Sequence, residues 1–204
     1  IKMMIEGEEE VGSPKLATFV KDHSELLAAD FCMNADSGIG MADNPSIVYG
    51  LRGLAYFELW VHGPRSDLHS GMFGGAVHNP ANVLCKLIAG MHGVDGRITL
   101  PLCYDNVQTL SDGERASLAK LSYDDAAVRT SAANPPALFG EQGFSAIERI
   151  GARPALDVNG LYSGFVGEGS KTVLPAKAMA KLSMRLVPDQ DPSEIARGLR
   201  SYLQ

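Results

Sequence analysis

Two segments of this chain alternate so regularly that they leave little freedom in what it can become. In Leu54 to His62, Ala55, Phe57, Leu59 and Val61 share one side, while Tyr56, Glu58, Trp60 and His62 share the other. In Lys177 to Val187, Ala178, Ala180, Leu182, Met184 and Leu186 face one way, and Lys177, Lys181, Ser183 and Arg185 the other. A period of two with one apolar side is a strand with one buried face. That face needs a cover, and two segments supply one. Asn79-Pro80 opens a helix with Val83, Leu84, Leu87, Ile88 and Met91 at a 3.6-residue period. Asp191-Pro192-Ser193-Glu194 is a capped start followed by Ile195, Leu199 and Leu203. The expected product is an α+β domain, a sheet with two helices on one face.

The first 50 residues have another texture. Ile1 to Ile5 and Asp30 to Ala35 read as short buried strands, with a helix opened by Ser13-Pro14 between them and Leu16, Phe19 and Val20 on its apolar face. Strand, helix, strand is an α/β signature. The expected division is 1–49 as part of an α/β domain and 50–204 as a second, α+β domain. Residues from about 92 to 155 read as a loop-rich insertion with short helices near 112–121 and 146–150. The chain starts without Met in mid-pattern and ends inside a helical pattern, so a piece of a longer protein is expected.

Composition removes several classes of function. Apolar residues make up 45% of the 204 and charged residues 21%, which is ordinary for a globular chain. There are 18 basic against 24 acidic residues, a net charge of -6, with no basic cluster of the kind nucleic acid requires. No apolar run reaches membrane-spanning length, and no signal peptide is visible. Cys32, Cys85 and Cys103 are odd in number and widely spaced, which excludes a disulfide framework and fits a reducing, cytoplasmic setting.

The acidic run Glu6-Gly7-Glu8-Glu9-Glu10 follows an expected strand end. Most such runs are solvated faces. Carboxylates crowded beside a core repel, however, and a divalent cation is the usual remedy. Asp36 stands at the next expected strand end and could reach the same rim. Zinc suits such oxygen ligands, and manganese does too. His69 sits in Asp67-Leu68-His69-Ser70-Gly71, with Gly74 and Gly75 after it; a lone histidine is more often a structural hydrogen-bonder than a catalyst, and the glycine loop raises the odds of function modestly. Gly167 to Thr172 lacks phosphate-loop spacing and precedes a strand, so nucleotide binding is rejected. Arg185 reads either as a surface ion pair or as a carboxylate clamp.

Taken in order, EGEEEVGS, NADSG, YGLRG, DLHSGMFGG, GEGSKTVLPAKA and MRLVP resemble the metallopeptidase family that includes carnosine dipeptidase, aminoacylase, acetylornithine deacetylase and succinyl-diaminopimelate desuccinylase. The resemblance spans essentially the whole chain and is nearest the cytosolic, carnosinase-like dipeptidase branch. It implies a two-metal hydrolase with a catalytic α/β domain and a lid that also dimerises. By motif, Glu9 is implied as general base, and Glu10 and Asp36 as ligands of two divalent ions, most simply zinc. An Asp at position 36 goes with dipeptidase-type members and a Glu there with deacylases and carboxypeptidases. His69 is implied to reach the partner subunit's active site. Thr172 and Arg185 are implied to bind a dipeptide, Arg185 through its carboxylate. The family's upstream His-x-Asp motif, a downstream metal-binding His and the last strand of the lid are not in this sequence. Two alternatives stay open: an N-acyl amino acid deacylase of the same family, and a non-catalytic dimerisation module.

Overall fold

The computed structural model describes residues 1–35, 48, 50–121 and 123–204. Its contacts divide the chain into two units, Ile1–Gly40 and Met41–Gln204.

In the first unit the acidic run forms a 3-10 turn over Glu9–Val11, followed by helices α1 (Leu16–Asp22) and α2 (Ser24–Leu27). Here the structure departs from the sequence reading. Neither Ile1 to Ile5 nor Phe31 to Ala35 is a strand, and Ile5, Phe31 and Met33 are each more than 80% exposed. A strand exists only through ladder partners, and among the described residues none pairs with either segment. Ser13 does not cap the helix. Its φ is +50°, its carbonyl accepts from the Leu16 N–H at 3.1 Å, and the helix starts at Leu16. Leu16 is half-buried, while Phe19 and Val20 remain exposed.

The second unit follows the alternating segments closely. Its elements are β1 (Gly53–His62), β2 (Leu68–His69), α3 (Ser70–Phe73), α4 (Pro80–Gly90), α5 (Asp112–Leu118), α6 (Asp125–Ser131), α7 (Ala146–Ala152), β3 (Ala155–Ser163), β4 (Val173–Leu174), β5 (Lys177–Leu186) and α8 (Pro192–Tyr202). The main sheet is antiparallel in the order β1-β5-β3, and β2 and β4 form a separate antiparallel pair. β5 is central, which is why its inward residues Ala178, Ala180, Leu182, Met184 and Leu186 are all at most 2% exposed. Leu84 and Met91 of the α4 segment and Ile195 and Leu199 of α8 enter the same core, so both helices cover one face of the sheet. Each helix starts as its sequence demands. Asn79 Oδ1 accepts the Ala81 N–H at 2.9 Å, Asp191 Oδ1 accepts the Ser193 N–H at 2.7 Å, and Pro follows each cap. Leu203, expected on the buried stripe of α8, lies beyond its end and is 37% exposed. Among the described residues, no helix is long and apolar enough to cross a membrane.

Residues 92–155 are held together internally by a buried ion pair. Arg153 Nε and Nη2 donate to Glu141 Oε2 and Oε1, each at 2.8 Å, and both residues are buried. The Arg153 guanidinium also lies over the rings of Phe144 and Tyr104, at 4.4 and 5.2 Å. Removing one partner strands the other charge in a dry site. We therefore expect Glu141→Ala to lose about 3–5 kcal/mol of stability in a denaturant titration. A loss below about 1 kcal/mol would show the pair to be solvated.

Cys103 sits beneath this cluster at 1% exposure, and burial pushes its thiol up to about 11. Cys32 and Cys85 are exposed. A thiol reagent at neutral pH is thus expected to label Cys32 and Cys85 in the native chain, and Cys103 only after unfolding. Fast native labelling of Cys103 would contradict this core.

Candidate active site

The glycine-rich loop after β1 brings two of the sequence-selected residues together. Leu68 pairs with Leu174 and His69 with Val173, and the Ser70 N–H donates to the Thr172 carbonyl at 3.0 Å. Asp67 fastens this small ladder to the large sheet, its Oδ1 accepting the Ala176 N–H at 2.8 Å. His69 Nε2 consequently lies 3.2 Å from Thr172 Oγ1, a contact between residues 103 apart in sequence. The other ring nitrogen is committed, since Nδ1 accepts the Gly71 N–H at 3.0 Å. The neutral ring therefore carries its proton on Nε2 and is a donor at that edge. Both His69 and Thr172 are exposed, so the edge is open to a ligand.

The glycines around this histidine are steric requirements. A Cβ on Gly71 would sit 2.8 Å from His69 Cε1 and 3.1 Å from Nδ1. One on Gly74 would collide with the Ser70 carbonyl, which accepts the Gly74 N–H at 2.8 Å. A cleft of about 410 Å3 adjoins the loop, with Ser70, His78, Asn82, Lys86 and Leu174 among its walls. Sequence reading singled out neither Asp67 for a role nor Asn82 and Lys86. Asp67 had a usable signal in its place two residues before His69. Asn82 and Lys86 read only as the polar side of an amphipathic helix.

The other selected residues are placed separately. Glu9 and Glu10 lie in the 3-10 turn of the first unit and are exposed, not pressed against a core. At three residues per turn their side chains diverge by about 120°, so the opposed geometry of a strand does not apply to them. Gly12 closes the turn at φ +84°, its N–H donating to the Glu9 carbonyl at 2.8 Å. Asp36 lies outside the described residues. Among the described residues, no group of three His, Cys, Asp or Glu side chains is placed to hold a metal ion. Glu10 and its neighbours thus make at most part of a donor set. Arg185 is exposed on the helix-free face of β5. It stands eight residues beyond Lys177, roughly 27 Å along the strand at about 3.4 Å per residue. The second unit therefore does not bring Arg185 to the His69–Thr172 pair.

Comparison with known proteins gives this arrangement a family. The peptidase dimerisation domain of the M20 peptidases matches residues 49–204. The Cys-Gly metallodipeptidase dug1 of Schizosaccharomyces pombe is 30% identical over 98% of this chain and 42% of its own length. The Beta-Ala-His dipeptidase of Homo sapiens is 31% identical over 100% of this chain and 40% of its own. The crystal structure of the M20 family metallo-carboxypeptidase Sso-CP2 from Sulfolobus solfataricus superposes with a TM-score of 0.80 at 33% identity, covering 98% of this chain and 45% of that one. The chain spans about two fifths of the length of the curated relatives it matches. With a helix-covered antiparallel sheet, a histidine held on a glycine loop and a family match over most of its length, this chain belongs to the M20 peptidase dimerisation domain family.

Proposed function

We propose that residues 50–204 are the lid and dimerisation domain, and residues 1–49 part of the catalytic domain, of a metal-dependent dipeptidase. The observation that carries this reading is the His69–Thr172 pair. An N-cap needs only the Nδ1 acceptor, and the exposed Nε2 edge, paired here with the equally exposed Thr172 hydroxyl, is the part of the ring a ligand reaches. It is the type of group that stabilises a carbonyl oxygen as negative charge develops on it. The names of the relatives support dipeptides as the substrate class.

In this reading Glu10 and Asp36 are among the ligands of two divalent ions, zinc or manganese, with further ligands from the rest of the protein. Such ions, when bound, make water acidic enough to ionise near neutrality. Glu9 accepts the proton of the attacking water and returns it to the leaving amine. His69, reaching the site from the partner subunit of a homodimer, donates from Nε2 to the carbonyl oxygen, with the Thr172 hydroxyl beside it. Arg185 holds the substrate carboxylate through its planar fork.

The test is a substrate panel on the full-length protein before and after chelation. Dipeptides should be cleaved, chelation should abolish cleavage, and zinc or manganese should restore it. A preference for N-acyl amino acids would replace the reading with a deacylase. Trimming of longer peptides from the C-terminus would favour the carboxypeptidase reading that the Sulfolobus solfataricus structure supports. No hydrolysis with metal present, in a protein that dimerises, would leave the lid as a pairing module alone.

Gly71 offers an independent check. Because a methyl there meets only the mobile imidazole, Gly71→Ala should fold normally yet push His69 off its position. A misplacement of about 1 Å can cost on the order of 100-fold in rate, so kcat should fall by that order while Tm drops no further than in His69→Ala, which loses the same Nδ1 cap. Unchanged kcat would separate His69 from the chemistry.

A further inference from the structure

The end of the sheet that carries Arg185 holds more positive charge than its own residues neutralise. In the ladder, Arg185 is opposite Leu54 on β1 and Ala155 on β3, so the three share the helix-free face. Asp157, two residues along β3, is on that face as well, opposite Ser183. Arg52 immediately precedes β1, and the alternation of the strand places it with Leu54, diagonal to Arg185. Diagonal neighbours of this kind lie within reach of long side chains. The region thus gathers two guanidinium groups and one carboxylate.

The same face treats its other charges differently. Four residues back along β5, Lys181 Nζ has Glu58 Oε1 at 3.3 Å. Among the described residues, neither Arg52 nor Arg185 has a carboxylate oxygen within 4 Å. Arg52 is also half-buried. Its pKa is held below the ordinary arginine value by that burial first and by the Arg185 charge second, with Asp157 opposing both. Two like charges side by side, one of them partly desolvated, are what an incoming anion would relieve.

We propose that Arg52 is a second specificity-determining contact for the substrate's carboxylate, which then lies between the guanidinium groups of Arg52 and Arg185. The inference rests on the reading above that Arg185 meets that carboxylate. Asp157 competes with the substrate for the two cations and keeps their field from exceeding what one carboxylate offsets. A carboxylate bound by two forks is distinguished sharply from a neutral amide of the same shape.

The experiment compares a dipeptide with its C-terminal amide on the full-length protein. Removing one charge-assisted contact should lower kcat/KM for the acid about tenfold in Arg52→Met, mainly through KM, and leave the amide unchanged. Arg52→Lys should keep most of the preference, and Asp157→Asn should widen it. Equal losses on acid and amide in Arg52→Met, or no loss on either, would overturn the role of Arg52. Should Arg52→Met not fold, the opposite-signed response of Asp157→Asn decides: an unchanged acid preference there overturns the proposal. If the wild-type protein cleaves no dipeptide, the dipeptidase reading fails, and calorimetric titration with N-acetylglycine and N-acetylglycinamide takes over. Acid-specific binding that weakens about tenfold in Arg52→Met then supports the two-arginine site, and its absence overturns it.

Discussion

Full-length protein carrying Glu9→Ala should lose its turnover while keeping its metal and its melting temperature. The expected fall in kcat is about 100- to 10,000-fold, the range that general acid–base catalysis supplies. What makes the variant informative is that this position does little structural work through its side chain. The 3-10 turn is closed by the Glu9 carbonyl, which accepts the Gly12 N–H, and the carboxylate is exposed. Alanine keeps the carbonyl and deletes only the proton acceptor. Metal content and thermal stability measured beside kcat separate a lost base from a lost ligand or a lost fold. A variant with near-normal peptidase activity would reject Glu9 as the base. One that loses metal as well as activity would move Glu9 into the ligand set.

Replacing His69 is expected to cost about 100- to 1000-fold in kcat, the usual effect of deleting one donor to a developing oxyanion. Here the side chain does have a structural task, because Nδ1 caps the Gly71 N–H. His69→Asn separates the two roles. Asparagine supplies a cap acceptor but is too short to place a donor where Nε2 meets Thr172 Oγ1. If the ring serves only as a cap, His69→Asn should be nearly as active as wild type. If Nε2 is the working atom, His69→Asn and His69→Ala should fail alike in kcat while only the alanine variant loses stability. Mixing inactive His69→Ala with inactive Glu9→Ala protein then asks which subunit each residue serves. Partial recovery of activity is expected, since a hybrid dimer has one site with both groups intact. No recovery despite demonstrated subunit exchange would confine His69 to its own subunit.

These predictions draw on different depths of the sequence. β1, β5, α4 and α8 were legible because each carries its instruction locally: an alternation or a 3.6-residue period, plus a cap. Their burial followed the pattern almost residue for residue, from Ala55 and Leu59 to Leu182 and Met184. β3 was harder to see. A bulge between Val158 and Gly160 breaks its alternation, and Val158 and Leu161 are exposed, so no single face reads as apolar. α6 escaped because it buries only Val128 and owes its start to the Asp124 cap. The strands expected in the first unit failed for the opposite reason. Ile1 to Ile5 and Phe31 to Ala35 have strand-like composition, but composition is not pairing.

By itself, then, the sequence determined a sheet covered on one side by two helices, and it pointed to Glu9, Glu10, Asp36, His69, Thr172 and Arg185 through a family resemblance. Only the tertiary structure decided which of these meet. His69 and Thr172 touch because the β2–β4 ladder and Asp67 close a loop of about a hundred residues, and no local pattern encodes such a closure. Arg185 acquired Arg52 and Asp157 as neighbours because antiparallel register lays three distant segments side by side. Periodicity says which way a side chain faces along its own strand. What it faces beside is set by non-local pairing, which exists only once the chain has folded.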